Sequence, residues 1–231
     1  MSATLPGMST LVYLDHAMAI ICKSAGEPVQ TEDPKQRTIV QEWREKLGAT
    51  HLQPAHRIDQ PVSGLVVLSR DSQSFTAVQR GFATDRIVRL YLAVVSTPPV
   101  PEQGVLEDRI LQKGTRSVIG ETGKPGKLQY RTIGKTDHHT ILLLRLHTGR
   151  HHQIRVQLAS RGWHVVGDAR YGARRPLSDR SIALHAWRLE MDHPTLAGHR
   201  MTFHGDIPAG GLWEAVRNVL LTLPSPDEPL V

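Results

Sequence analysis

The chain has 231 residues, 39% of them hydrophobic and 22% charged, the balance of an ordinary globular protein long enough to build a core without staples. It carries 28 basic against 22 acidic residues, a formal charge of +6, which favours phosphate-rich partners through long-range attraction and counterion release. Its single cysteine, Cys22, excludes an internal disulfide framework and fits a reducing cytoplasm, and the longest apolar runs, such as 17–22 and 141–144, are too short to cross a bilayer, so no membrane partner is expected.

Residues 1–9 read as a flexible N-terminus without a targeting pattern. Residues 10–14 and 18–22 predict two short strands around a turn at Asp15-His16, followed by a loop holding Gly26 and Pro28. Residues 35–47 predict an amphipathic helix, because Ile39, Trp43 and Leu47 recur at every fourth position and Gly48 is a suitable stop. Residues 64–69 predict a buried strand, with Asp71 standing where an N-cap would stand for a helix over 72–82. Residues 87–95, rich in β-branched and aromatic side chains, predict another strand. Pro98–Pro101 breaks the chain and opens an irregular stretch, with Gly-rich turns as far as Gly126. Paired strands over 128–133 and 140–146 come next, then a short helix over 153–160 stopping at Gly162. Strands over 182–191 and 201–203 and a helix over 213–221 complete the pattern, and the three prolines of 223–231 predict a disordered tail.

Strands and helices alternate irregularly, with several hairpin-like pairs. That argues for an α+β fold built on a mixed, mostly antiparallel central β-sheet flanked by helices and loops, as a single domain over 10–222. The break at Pro98–Pro101 leaves open two halves or one shared sheet.

The chemistry concentrates in His56-Arg57-Ile58-Asp59-Gln60-Pro61-Val62-Ser63-Gly64-Leu65. Arg57 and Asp59 flank one apolar residue just ahead of a buried strand, where a rigid scaffold can hold reactive groups. On the residues alone Asp59 is open to four readings: nucleophile, base, metal ligand or turn former. The run resembles the active-site motif of the RluA-like RNA pseudouridine synthases, His-Arg-Leu-Asp followed closely by Ser-Gly-Leu. Arg89-Leu90-Tyr91 resembles that family's second motif. The run from His147 through Thr148-Gly149-Arg150-His151-His152-Gln153-Ile154-Arg155-Val156 resembles the third. Gly167-Asp168 with Tyr171-Gly172, Leu184-His185-Ala186 and His193-Pro194 follow in the family's order, and Lys23 with Gly26 resembles its Lys-x-x-Gly loop. The resemblance spans residues 11–203.

That resemblance implies an enzyme that turns specific uridines of structured RNA, in a ribosomal or transfer RNA stem-loop, into pseudouridine without a cofactor. It implies Asp59 as nucleophile, Arg155 as its ion-pair partner, and Tyr91 for proton transfer or packing beside the base. It also implies that Arg57 enters the space vacated by a flipped-out base. Arg150, Arg170, Arg174 and Arg175 are the expected RNA contacts, and Arg109, Lys113, Arg116, Lys124 and Lys127 are further candidates. Arg89 stands where the second motif usually has lysine, Val62 where threonine is common, and Gln157 where histidine is common; these departures bear on RNA selectivity. A stand-alone catalytic domain is expected, since the pattern begins near Thr10 and leaves no room for an N-terminal S4 domain. A cytoplasmic monomer is expected as well.

No metal is expected. His151 and His152 are adjacent, and adjacent side chains on a regular strand point to opposite faces; His138-His139 lies in a turn. Two competing classes remain: an RNA-binding protein that keeps the fold without catalysis, and a metal-dependent hydrolase built on the histidines.

Overall fold

The computed structural model describes residues 8–223, so the flexible start expected at 1–9 and the disordered tail expected at 223–231 fall outside the described residues except at 8, 9 and 223. The strands are β1 (Thr10–Leu14), β2 (Met18–Lys23), β3 (Gln53–Pro54), β4 (Ser63–Ser69), β5 (Val88–Val95), β6 (Gln103–Lys113), β7 (Arg116–Ile119), β8 (Lys124–Lys135), β9 (Thr140–Leu146), β10 (Leu184–Asp192) and β11 (Arg200–His204). The helices are α1 (Ile39–Lys46), α2 (Ser72–Ala83), α3 (Gln153–Ala159) and α4 (Gly211–Thr222), with a 3-10 turn at Ala169–Tyr171. The described chain divides into two compact units, one of residues 8–88 and 186–206, the other of 89–185 and 207–223. The divisions therefore fall at Val88, His185 and Asp206 rather than at Pro98–Pro101.

In the first unit the strand order is β1-β2-β4-β10, with β3 paired to β4 and β11 to β10. The pairs β1–β2, β2–β4, β3–β4 and β10–β11 are antiparallel. Every residue of β2 and β4 is buried, which explains their continuous apolar runs: both faces are covered, so no polar alternation is needed. Met18, Ile20, Leu65, Val67, Val78, Leu189, Met191 and Phe203 share one core cluster there. α1 begins at Ile39, four residues later than expected from periodicity. Thr38 caps it, its side chain accepting from the Gln41 N–H while the Gln41 side chain accepts from the Thr38 N–H. This reciprocal pair satisfies two helix-end donors at one point and fixes the start there. Asp71 caps α2 as expected, accepting from the Ser74 N–H.

In the second unit the order is β5-β9-β8-β6-β7, antiparallel throughout. The stretch expected to be irregular is instead a meander of long strands. In β6, Leu106 and Ile110 are buried while Glu107 and Arg109 face solvent. A strand with one wet face carries many charges and lacks the apolar run that marks a buried strand. Gly123 closes the turn between β7 and β8, its N–H donating to the Gly120 carbonyl at 2.9 Å, whereas Gly126 lies within β8. A Cβ at Gly123 would lie 2.5 Å from the Ile110 carbonyl carbon, and one at Gly126 would lie 2.6 Å from Ile110 Cδ1, so both are sites of close approach to β6. α3 packs on β6 and β7, and α4 on β8. Four helices beside this much sheet make an α+β fold.

Candidate active site

Asp59 and Arg57 lie in the short connection between β3 and β4. Ile58 between them is buried and anchors the loop, while Arg57 is exposed and Asp59 is partly buried. The loop backbone is tied at several points. The Val62 N–H donates to the Asp59 carbonyl at 3.0 Å, and the Gly26 N–H donates to the Gln60 carbonyl at 2.8 Å. The Gln60 side-chain amide returns a bond to the Gly26 carbonyl at 2.9 Å. The Lys23 ammonium, 1% exposed, donates to the carbonyls of Ser24, Glu27 and Gln60 at 2.8, 2.9 and 3.2 Å. All three ammonium protons have carbonyl acceptors, which is what a buried cation requires.

Burial pushes the Lys23 ammonium down to about 8, and the carboxylates of Glu27 and Asp59 partly offset that effect. The cation therefore both fixes the backbone beside Asp59 and bears electrostatically on its carboxylate. The Lys-x-x-Gly resemblance alone assigns Lys23 no chemical role. Its signal was present nonetheless: a lysine closing the apolar strand Met18–Lys23 must be paired to be tolerated.

Tyr91 and Arg155 belong to the second unit. Tyr91 is buried on β5, opposite Leu144 of β9. Arg89, two residues earlier, is buried and donates from Nη2 to the His147 carbonyl at 3.1 Å. A Cβ at Gly149 would lie 3.1 Å from its Nη1. The arginine that replaces the usual lysine thus braces the loop leading into α3. That loop is further held by Gln153, whose Oε1 accepts from the Thr148 hydroxyl at 2.8 Å and from the Arg150 N–H at 3.0 Å.

Arg155, on α3, is 4% exposed and forms a two-pronged ion pair with Asp168, itself 1% exposed. Its Nε donates to Asp168 Oδ2 at 2.7 Å and its Nη2 to Oδ1 at 2.8 Å. The guanidinium lies 4.9 Å from the centre of the Tyr171 ring. The Tyr171 hydroxyl accepts from the Ser117 N–H at 2.8 Å and lies 2.8 Å from His152 Nδ1. Asp168 and Tyr171 stand in the motif pieces noted in the sequence, yet only the fold reveals that they surround Arg155.

The expected RNA contacts are distributed as follows. Arg150 is partly buried and donates from Nε to the Pro125 carbonyl at 2.8 Å, so part of its fork brackets β8. Arg170 is exposed and donates to the Thr115 carbonyl at 2.8 Å, while Arg116 donates to the Arg170 carbonyl. These bonds join the β6–β7 hairpin tip to the 3-10 turn. Arg174 and Arg175 follow on the exposed chain just beyond.

His151 and His152 do not follow strand geometry. His152 takes the left-handed conformation at φ 53°, which is uncommon for a non-glycine residue, and the two rings stack with centres 3.8 Å apart. Ser117 Oγ lies 3.0 Å from His151 Nδ1. The opposite-face argument does not hold for this pair. Among the described residues no group of three or more His, Cys, Asp or Glu side chains could hold a metal ion, and no helix is long and apolar enough to cross a membrane.

Comparison with known proteins bears on these features. The sequence model of the family described as RNA pseudouridylate synthase matches residues 17–160. The chain is 33% identical over 177 residues to the ribosomal large subunit pseudouridine synthase D of Nitrosomonas europaea, covering 71% of this chain and 51% of that protein. It is 27% identical over 185 residues to an uncharacterized RNA pseudouridine synthase of Haemophilus influenzae, covering 79% of this chain and 82% of that one. The chain spans about half the length of the ribosomal synthases from Nitrosomonas europaea and Pseudomonas aeruginosa. Among solved structures, human RNA pseudouridylate synthase domain containing 4 superposes with a TM-score of 0.74 at 22% identity, covering 93% of this chain and 94% of that one, and so shares the fold.

Proposed function

Because the chain belongs to the RNA pseudouridylate synthase family, we propose that it isomerises specific uridines of structured RNA to pseudouridine, with Asp59 as nucleophile. The observation that carries this reading is the bracing of the Asp59 loop. The buried Lys23 cation, the Gly26–Gln60 bonds and the Ile58 anchor hold a partly exposed carboxylate on a stiff backbone. Such stiffness suits a nucleophile that must meet a reacting carbon within a fraction of an ångström.

The reaction breaks the C1′–N1 bond, turns the base, and joins C1′ to C5; the C5 proton is then lost and N1 takes one up. No electrons enter or leave, so the residues need only supply a carboxylate, proton transfer and base handling; no cofactor is assigned. Asp59 attacks or stabilises the electron-poor centre. Arg155 is assigned as the cation that pairs with the Asp59 carboxylate. Tyr91 is assigned to the sugar or base proton, a role in which a phenol needs a perturbing environment. Arg57 is assigned to the gap left by the flipped base, where its planar fork can stack and donate. Arg150, Arg170, Arg174 and Arg175 are assigned to RNA phosphates.

Large-subunit ribosomal RNA is the first substrate to test, given what the relatives are named for, and transfer RNA the second. The working form is assigned as a single catalytic domain over 10–222, a monomer in the cytoplasm.

The test compares RNA from cells lacking the protein with RNA from the same cells complemented by wild type or by Asp59→Asn. Pseudouridines are mapped by carbodiimide-based primer extension. A site restored by wild type and not by Asp59→Asn, with the variant folded by circular dichroism, is the expected result. Restoration by Asp59→Asn removes Asp59 as nucleophile. Loss of no site in either RNA class, with RNA binding intact, favours a protein that binds RNA without modifying it.

A further inference from the structure

Resting on the assignment of Arg155 to the reaction, we propose that Asp168 is a positioning residue that acts through Arg155, with Tyr171 and His152 as the layer that holds both. Asp168 lies beyond residues 17–160 matched by the family model, and nothing in the family motifs gives it a task.

The geometry argues for orientation rather than bulk stability. An arginine side chain has many rotamers, and fixing it costs conformational entropy. Asp168 offsets this with two parallel bonds, to Nε and Nη2. A planar guanidinium gripped along that edge has its Nη1 end directed away from Asp168, and the plane cannot swivel without breaking both bonds. The face of Tyr171 lies under the same group, adding a cation–π contact that also fixes the tilt. Tyr171 is fixed in turn at its hydroxyl by the Ser117 N–H on β7 and by His152 Nδ1. His152 reaches that point only by adopting a left-handed backbone at the start of α3, with its ring stacked on His151.

Burying an ion pair is a costly route to stability, because desolvating two charges offsets most of their attraction. A left-handed histidine adds strain of the kind that clusters where geometry serves function. Both costs lie in the setting of one side chain, Arg155, and both are explained if the direction of its guanidinium matters to the reaction. A residue held in this way needs its supporting layer almost as much as its own charge.

The test uses the full chain and an in vitro transcript of large-subunit ribosomal RNA carrying C5-tritiated uridine. Tritium release is followed in single turnover with enzyme in excess, so the rate constant does not depend on the folded fraction. The variants are Asp168→Asn, which keeps one acceptor and loses the charge and the second, and Tyr171→Phe, which keeps the ring and loses the hydroxyl. For Asp168→Asn the single-turnover rate is expected to fall about 10- to 100-fold with RNA affinity unchanged, as for a small misplacement of a reacting group. Tyr171→Phe is expected to show a smaller fall in the same direction. Nitrogen-15 relaxation at Arg155 Nε, rigid in wild type, is expected to report new motion in both variants. A full single-turnover rate in both variants, or a rate loss without new motion at Arg155, overturns the positioning role while pseudouridine formation stands. Absence of tritium release from this transcript and from transfer RNA by wild type defeats the functional reading itself, and the positioning role with it.

Discussion

Gly64 shows how a motif residue can owe its identity to packing rather than to chemistry. Its φ is +116°, and a Cβ there would lie 2.2 Å from the Ala186 carbonyl oxygen and 2.6 Å from the Ala186 nitrogen. The backbones of β4 and β10 meet at that point, so Gly64→Ala must move a strand. We expect a loss of at least roughly 2 kcal/mol in urea denaturation, and an unchanged midpoint would show that the contact is soft. Asp15 makes a different kind of link. Burial opposes ionisation of its carboxyl, but bonds from His193, the Met18 N–H, Tyr13 and the Ala17 N–H together outweigh burial and hold it down to about 2. A folded pKa below the unfolded value of 3.8 means a stabilising contribution that is present above about pH 4 and lost as pH falls through about 2. Asp15→Asn should therefore cost on the order of 1 kcal/mol at pH 7, a value discounted for partial exposure. The gap between variant and wild type should close as the pH approaches 2, and a gap constant with pH would point to lost packing instead. At this scale the sequence named Asp59, Tyr91 and Arg155 through contiguous motifs. It did not give Asp168 as the partner of Arg155, because 13 residues separate the two and only the turn after α3 brings them together.

Elements with one clear signal were the most legible. β2 and β4 read correctly because both faces are buried, and α2 because Asp71 caps it. α1 was read too long because apolar periodicity says nothing about where the backbone donors are first satisfied. Thr38 decides that, so Thr38→Ala should cost about 1 kcal/mol, measured as a lowered denaturation midpoint, with Thr38→Ser restoring most of it. Equal midpoints for Thr38→Ala and wild type would mean that the packing of Ile39 and Trp43 fixes the start. The sequence signals only residues 128–133 of β8 as strand and leaves β6 and β7 unmarked, because these strands carry charge on one face and glycine where neighbours approach closely. Both features imitate a loop when read in one dimension. Regular strand geometry would oppose the rings of His151 and His152, and a single left-handed residue is enough to stack them.

For the molecule as a whole, part of the basic excess gathers in one place. Two basic segments far apart in sequence, the β6–β7 hairpin tip and the chain from Arg170 to Arg175, are bonded to each other through Arg116 and Arg170. Arg174→Ala combined with Arg175→Ala should weaken RNA binding and make the plot of log affinity against log salt shallower by about 1.5, as expected when two phosphate contacts are lost. An unchanged slope would take both arginines out of the interface. Composition alone announced a basic protein and could not say which arginines gather, since that depends on which loops the sheet brings side by side.

The division of the chain has a consequence for the order in which it is made. The first unit begins at the N-terminus but takes Leu189, Met191 and Phe203 of its core from β10 and β11, which follow the whole of 89–185. A nascent chain emerging from the ribosome therefore exposes the apolar runs of β2 and β4 long before β10 and β11 are synthesised. The strands β5 to β9 of the second unit are all synthesised before β10 and β11 close the core beneath the Asp59 loop's own strand, β4.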